Sequence, residues 1–335
     1  MLTLEKLKKI DERICNEIYN YACENKLATN KTSPIYDGLY SPEMYWKSPL
    51  RIMWILKEPY DDFDKRTGKP KGGDWSITKD LFHNPEDFAK NKTGQMVIYT
   101  SYGILNNLRW NKIDYIYDDP DIPKVLQKIA YINLSKIPGY TTTKDSELWA
   151  KYEEWKKITL KQIKQYEPNV LIFGNTFKYF LEDLEDLFSI NSAKFTPLRK
   201  INIGVYESNE RIIIDSWHPG KHFSNEDKQI YVDSLVSKIN KWYSKITESN
   251  ETIESKYLFI AKLADYLISN RLKMNTNDLI GFLNTNNFTT INGDTFQAMQ
   301  SVNKLIRDCY KIADNNTKKN IKKAFINNKG FSIIS

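Results

Sequence analysis

The sequence is poor in the residues that staple small folds or hold metals. It has three cysteines (Cys15, Cys23 and Cys309), none in a Cys-x-x-Cys pair, and only three histidines in 335 residues. That excludes a disulfide-built scaffold, argues against a structural zinc site and points to a reducing compartment. His222 follows His218 at helical spacing, but no carboxylate or cysteine stands beside them to complete a metal site. Long apolar runs are missing as well. The longest candidates, residues 170–173 and 212–214, are strand-sized and far short of the ~20 residues that cross a bilayer. The opening Met-Leu-Thr-Leu-Glu-Lys reads as an amphipathic helix without a signal-peptide core. The expectation is a soluble, cytoplasmic protein with no membrane partner and no metal.

What is present is an ordinary globular composition, 41% hydrophobic and 27% charged, which excludes a disordered or fibrous chain. The net charge is +7, and the stretch from residue 250 to the end holds 12 Lys/Arg against 7 Asp/Glu, so most of the excess sits there. A positive balance of this size favours an anionic partner.

The length predicts about two domains. Residues 4–25 carry Leu7, Ile10, Ile14, Ile18 and Tyr21 on a helical stripe. Residues 51–56 form a short β-branched and aromatic run that ends at Lys57-Glu58-Pro59, a buried strand. A polar loop with Gly68, Pro70, Gly72 and Gly73 follows over 60–76, then a helix over 93–108. Further strands are expected at 129–134, 169–174, 201–207 and 211–215, with helices at 145–166, 176–187 and 225–246. In the helix 145–166, Trp149, Tyr152, Trp155 and Ile163 share one stripe, and Pro168 ends it. Alternating strands and helices predict an α/β fold, a three-layer α/β/α sandwich with a mostly parallel central sheet, over residues 1–246. The polar stretch 247–255 reads as a linker. Residues 256–335 read as a small all-helical domain, with helices at 257–270, 276–286, 295–313 and 316–327 and Thr276 as an N-cap.

In open α/β sheets, ligands bind outside the carboxyl ends of the strands. Three polar residues stand at such ends: Glu58, Asn133 and His218. An amide offers both a donor and an acceptor edge, a carboxylate can orient or deprotonate water, and an imidazole can donate to an oxygen that gains charge. Each has a plainer reading. Glu58 can cap a helix or pair with a cation, Asn133 can satisfy a turn, and His218 can be structural.

At these positions the chain resembles the uracil-DNA glycosylase superfamily. The stretches are Leu56-Lys57-Glu58-Pro59-Tyr60, then Asn133-Leu134-Ser135-Lys136, then Ser216-Trp217-His218-Pro219-Gly220, and they occur in the family's order over residues 49–245. The stretch 168–174 is similar to the family's strand before the last pair. The resemblance implies roles. Glu58 would activate the attacking water and stabilise the cationic sugar, and Pro59 would shape the turn. Tyr60 would pack beside C5 of the base, Asn133 would read its edge, and His218 would hydrogen-bond the base oxygen as the base departs as an anion. Trp75 stands roughly where the family has its stacking aromatic, or is a packing residue. Base flipping is part of such chemistry, and no metal or organic cofactor is implied. Lys57, Lys136 and Pro219 belong to the same motif loops, the two lysines being either solvated or turned to the ligand.

The chain also departs from the family. Leu56 replaces a glycine, Lys57 a Gln or Glu, and Gly220 a serine, and Glu58 is one methylene longer than aspartate. None of the four cysteines that some branches use for an iron–sulfur cluster is present.

In the last quarter, residues 276–296 resemble the small helical DNA-binding modules of recombinases, in which a helix and a Gly-containing turn precede a recognition helix. Lys318, Lys319, Lys322 and Lys323 then form a basic cluster able to meet phosphates. The alternative is a helical bundle used for docking, with lysines that only solvate a face. The expected function is a DNA glycosylase-like hydrolase that cleaves the N-glycosidic bond of a uracil-like or modified base in single- or double-stranded DNA. The alternatives are an inactive base- or nucleotide-binding sensor, or an enzyme of free nucleotides on the same fold.

Overall fold

Three apolar runs of the sequence become the middle of a sheet. The computed structural model describes residues 2–140, 142–198, 201, 203–285, 296 and 299–334, with the backbone alone over 248–255. The chain divides into two units, Met1–Trp242 and Tyr243–Ser335. The first is built on seven strands: β1 (Gly38–Leu39), β2 (Ile52–Leu56), β3 (Ile129–Asn133), β4 (Val170–Gly174), β5 (Lys194–Leu198), β6 (Ile203–Glu207) and β7 (Ile212–Ser216). Strands β2, β3 and β4 are buried along their whole length, as expected for strands covered on both faces.

The strand order is β1-β3-β2-β4-β7-β6-β5. The four central strands run parallel, while β1, β6 and β5 pair antiparallel at the two sides. The sheet is therefore mixed rather than mostly parallel. Strand β5 was not visible in the sequence because Pro197 interrupts its apolar pattern; on an edge strand the missing N–H costs nothing. The parallel strands end level, with Leu56 opposite Asn133 and Gly174 opposite Ser216. Strand β2 has later strands on both sides, and the crevice at such a reversal of chain order is where open sheets bind ligands.

Helix α1 (Leu4–Glu24) is capped by Thr3, and α2 (Lys92–Asn106) by Asn91, whose side chain accepts from Gly94 N at 2.6 Å. Helices α3 (Asp145–Tyr166), α4 (Phe177–Phe188) and α5 (Asn225–Ser269) complete the set that joins the sheet. One core unites Ile14 and Ile18 of α1, Trp155 and Ile163 of α3 and Phe180 of α4 with Met53, Ile55, Ile132 and Phe173 of the sheet. On the opposite face, Trp54 donates its indole N–H to Ser101 of α2, and the Ser216 hydroxyl lies 3.0 Å from that of Tyr231 in α5. Trp149 departs from its expected stripe: it is 44% exposed and meets the ring of Tyr179 edge-on. The polar loop after β2 is partly ordered into a hairpin of Asp62–Phe63 with Pro70–Lys71, and a parallel pair of Ile35–Tyr36 with Trp75–Ser76.

The stretch 247–255, expected as a linker, is helical and lies inside α5; no Pro or Gly interrupts it. The second unit contains α6 (Thr276–Thr285), α7 (Met299–Ile312) and α8 (Asn315–Ala324) around Leu279, Leu283, Val302, Ile306 and Ile321. It is not purely helical, because Met274–Asn275 pairs with Phe325–Ile326. The side chain that accepts from the first turn of α6 is Asn275, on Asp278 N at 3.0 Å, rather than Thr276, which is buried and donates to Asn303. The turn expected at 287–295 lies outside the described residues. No helix among the described residues is long and apolar enough to cross a membrane.

Candidate functional site

The turn after β2 carries Glu58 into a cavity of about 490 Å³ at the strand ends. Its side chain is 3% exposed. Oε1 accepts from the Thr143 hydroxyl and lies 4.0 Å from Lys151 Nζ, while Oε2 is buried with no partner among the described residues. A buried carboxylate oxygen left open is costly unless something polar meets it. The Pro138-Gly139 turn closes over the stem: Gly139 N donates to Pro59 O at 2.8 Å, and a Cβ at 139 would sit 1.8 Å from Glu58 Cγ. Glycine is needed here for space.

Asn133, the last residue of β3, is 2% exposed and is held by its backbone. Its N–H donates to Asp37 Oδ2 at 2.7 Å and its carbonyl accepts from Lys136 Nζ at 2.7 Å. Lys136 also reaches both oxygens of Asp37, at 2.8 and 2.7 Å, and Gln162 Oε1 at 2.8 Å. Asp37 and Lys136 are both wholly buried. Burial pushes the Lys136 ammonium below its usual range, and the Asp37 charge and hydrogen bond oppose that shift. Lys136 is thus neither solvated nor turned to the cavity; it anchors the strand end. The Asn133 side-chain amide has no partner among the described residues and lines the cavity, donor and acceptor both open.

His218 follows β7. Its Nδ1 accepts from Gly220 N at 3.0 Å, which assigns the ring proton of the neutral form to Nε2. Burial, then the nearby Lys57 charge, pushes its pKa down to about 4, so the ring is neutral at pH 7. A Cβ at 220 would meet Thr93 Oγ1 at 2.5 Å, so Thr93 fills the space that a serine at 220 would take. Pro219 is buried outside the cavity. His222 is turned elsewhere, with Nδ1 2.8 Å from Lys92 Nζ.

The cavity thus gathers Lys57, Glu58, Pro59, Tyr60, Trp75, Asn133 and His218 of the residues expected from the sequence. Sequence reasoning missed Thr143, Thr93, Tyr140, Tyr131 and Phe88, which also line it. Tyr131 and Phe88 meet edge-on at 5.7 Å, and Trp75 is fixed by its indole N–H on Asp61 Oδ2 at 2.9 Å. The Pro138-Gly139 turn was the one signal in the sequence that pointed near Thr143. Two larger hollows, about 640 Å³ beside Lys6 and Lys157 and about 590 Å³ beside Tyr19 and Tyr36, are lined by no residue from the carboxyl ends of β2, β3, β4 or β7. In the second unit, Lys319, Lys322 and Lys323 are exposed on α8, while Lys318 is half-buried with its ammonium 6.0 Å from the Tyr310 ring centre.

The fold and the site define an α/β protein with an aromatic-walled cavity at the ends of parallel strands, into which a carboxylate, an amide and a neutral imidazole project. No protein-family model matches the chain, and no curated protein matches it. Chemically, the arrangement can bind a planar polar ring by its edge, donate to an oxygen on it and hold a water at the carboxylate.

Proposed function

We propose that the chain is a uracil-DNA glycosylase-like hydrolase that removes a uracil-like or modified base from DNA. We infer with it a three-layer α/β/α sandwich followed by a small, mainly helical domain. One observation carries the reading: Glu58, Asn133 and His218, far apart in sequence, line the same cavity. Its volume of about 490 Å³ suits a nucleobase with part of its sugar. The flipped base would lie among the aromatic walls with its edge on Asn133. Glu58 would hold a water and take its proton as the water oxygen bonds to C1′ of the sugar and the N-glycosidic bond breaks. The base would leave as an anion, its oxygen receiving a hydrogen bond from Nε2 of His218. The exposed lysines of α8 would add contacts to DNA phosphates.

A base-release assay on single- and double-stranded DNA containing uracil, hypoxanthine, hydroxymethyluracil or normal bases tests this. Abasic sites are expected with the wild type and not with Glu58→Gln or His218→Ala. Salt-sensitive binding without release from any substrate would instead favour a base- or nucleotide-binding sensor. That second reading has its own support, since the Thr143 hydroxyl already occupies one oxygen of Glu58.

A further inference from the structure

Two features beside the cavity extend beyond what base excision needs, although one of their rings, Tyr60, is also the residue expected beside C5 of the base. The first is a file of three rings at its mouth. The centroids of Tyr60 and Phe63 are 5.4 Å apart and those of Phe63 and Tyr140 6.1 Å. Tyr60 and Tyr140 line the cavity and are 53% and 42% exposed, so the file faces water. Contiguous exposed rings are uncommon unless something stacks on them.

The second feature is the hairpin of Asp62–Phe63 with Pro70–Lys71. Its exposed tip carries Lys65, Arg66 and Lys69, none of which makes an ion pair among the described residues. The acids nearby are already engaged. Asp62 pairs with Lys71 at 3.0 Å. Asp64 pairs with Lys31 and accepts from the N–H groups of Arg66 and Thr67 at 2.9 and 3.0 Å. The Lys31 ammonium first, then those amides, holds the Asp64 carboxyl well below the usual carboxylate range. The tip therefore presents cationic charge to solvent directly after the ring file.

Rings in sequence with cations are the parts of a surface for single-stranded nucleic acid. Bases stack on the rings, the cations follow the phosphates, and a duplex keeps its base faces to itself. A free nucleotide would need no ring such as Phe63, which stands outside the lining of the cavity. We propose that Tyr60, Phe63 and Tyr140, with the tip Lys65, Arg66 and Lys69, form a platform that holds a DNA single strand and stacks the nucleotides flanking the one in the cavity. The proposal rests on the nucleic-acid reading of the cavity and adds that the strand is single.

The test is fluorescence anisotropy of the full chain with one labelled mixed-sequence DNA oligonucleotide, single-stranded or annealed to its complement, over a range of salt. The single strand should bind at least about tenfold tighter than the duplex, as expected if stacking on unpaired bases dominates. Tyr140→Ala should loosen the single strand by about 5- to 100-fold, with Tyr140→Phe near wild type. Replacing Lys65, Arg66 and Lys69 by Ala should flatten the plot of log affinity against log salt by about 0.7 for each phosphate no longer neutralised. Both targets are exposed, and an unchanged thermal midpoint checks that the variants fold. Equal or tighter duplex binding, wild-type affinity in Tyr140→Ala, or an unchanged salt slope in the tip variant would each overturn the platform. Its failure is separable from that of the enzyme. Single-strand binding with no base release removes the glycosylase and keeps the platform. Base release from duplex as fast as from single strands, undiminished in Tyr140→Ala, removes the platform and keeps the glycosylase.

Discussion

A side chain at position 139 would fall 1.8 Å from Cγ of Glu58, so the backbone of the Pro138-Gly139 turn is the lid on that carboxylate. Gly139→Ala must move either the lid or the acid. It should cost about 1–3 kcal/mol of stability, the usual range for overpacking, and lower base release further than that loss explains. Urea unfolding and the release assay together check this, and a variant equal to wild type in both would show that the lid yields freely.

Thr143 donates its hydroxyl to the same carboxylate. Thr143→Val keeps the shape and removes the donor. A hydrogen bond to a charged group is worth about 1.5–3 kcal/mol, so kcat should fall about 10- to 100-fold with DNA affinity little changed. Loss of affinity with kcat intact would place Thr143 in binding instead.

Lys136 and Asp37 form a wholly buried ion pair whose members also hold the two backbone groups of Asn133. Lys136→Met leaves Asp37 buried and uncompensated, and should destabilise by about 3–5 kcal/mol. Replacing both, as Lys136→Met with Asp37→Leu, should recover much of the stability while base affinity stays weak, because Asn133 loses both anchors. Chemical denaturation beside substrate binding separates the two effects; full recovery of both would deny the pair its positioning role.

His218 has an ordinary pKa of 6.5 lowered to about 4 by burial and by Lys57. The unfolded ring takes a proton below about 6.5 while the folded one stays neutral, so unfolding takes up protons over this interval. Stability therefore falls as pH drops from about 6.5 to about 4, by at most about 3 kcal/mol from this group, and is unaffected by it above 6.5. His218→Gln should lose that slope. Parallel pH profiles for wild type and variant would mean that His218 is not buried as a neutral ring.

Gly220 stands where the resembled motif has serine, and Thr93 occupies the space. Gly220→Ser alone should lower stability and displace the His218 ring, whereas Gly220→Ser with Thr93→Ala should restore both. A double-mutant cycle on melting temperature reads the coupling directly; additive effects would break the link between the two positions.

The readable parts of this chain were those whose cause is local. The runs around Ile52, Ile129 and Val170 are apolar without alternation, which only a strand covered on both faces tolerates, and Asp145–Tyr166 is bounded by its own signals. Glu58, Asn133 and His218 were legible because Asn133 ends the run at Ile129, and Glu58 and His218 stand just past the apolar runs at Ile52 and Ile212. Strand β5 was not, since it owes its existence to pairing with β6 despite Pro197. The helix through 247–255 was missed because the stretch is polar and lacks the apolar periodicity that marks a helix.

The order of strands and helices, the positive balance of the last quarter and the three polar residues at strand ends belong to the sequence itself, because periodicity, charge and adjacency are properties of neighbours along the chain. Only the tertiary structure decided what those residues became. Asp37 comes from 99 positions before Lys136 to bury its charge, and Thr143 from 85 positions after Glu58 to take one of its oxygens. Such pairings have no local signature, since burial and hydrogen bonding act through space, and they turn three polar residues into one cavity.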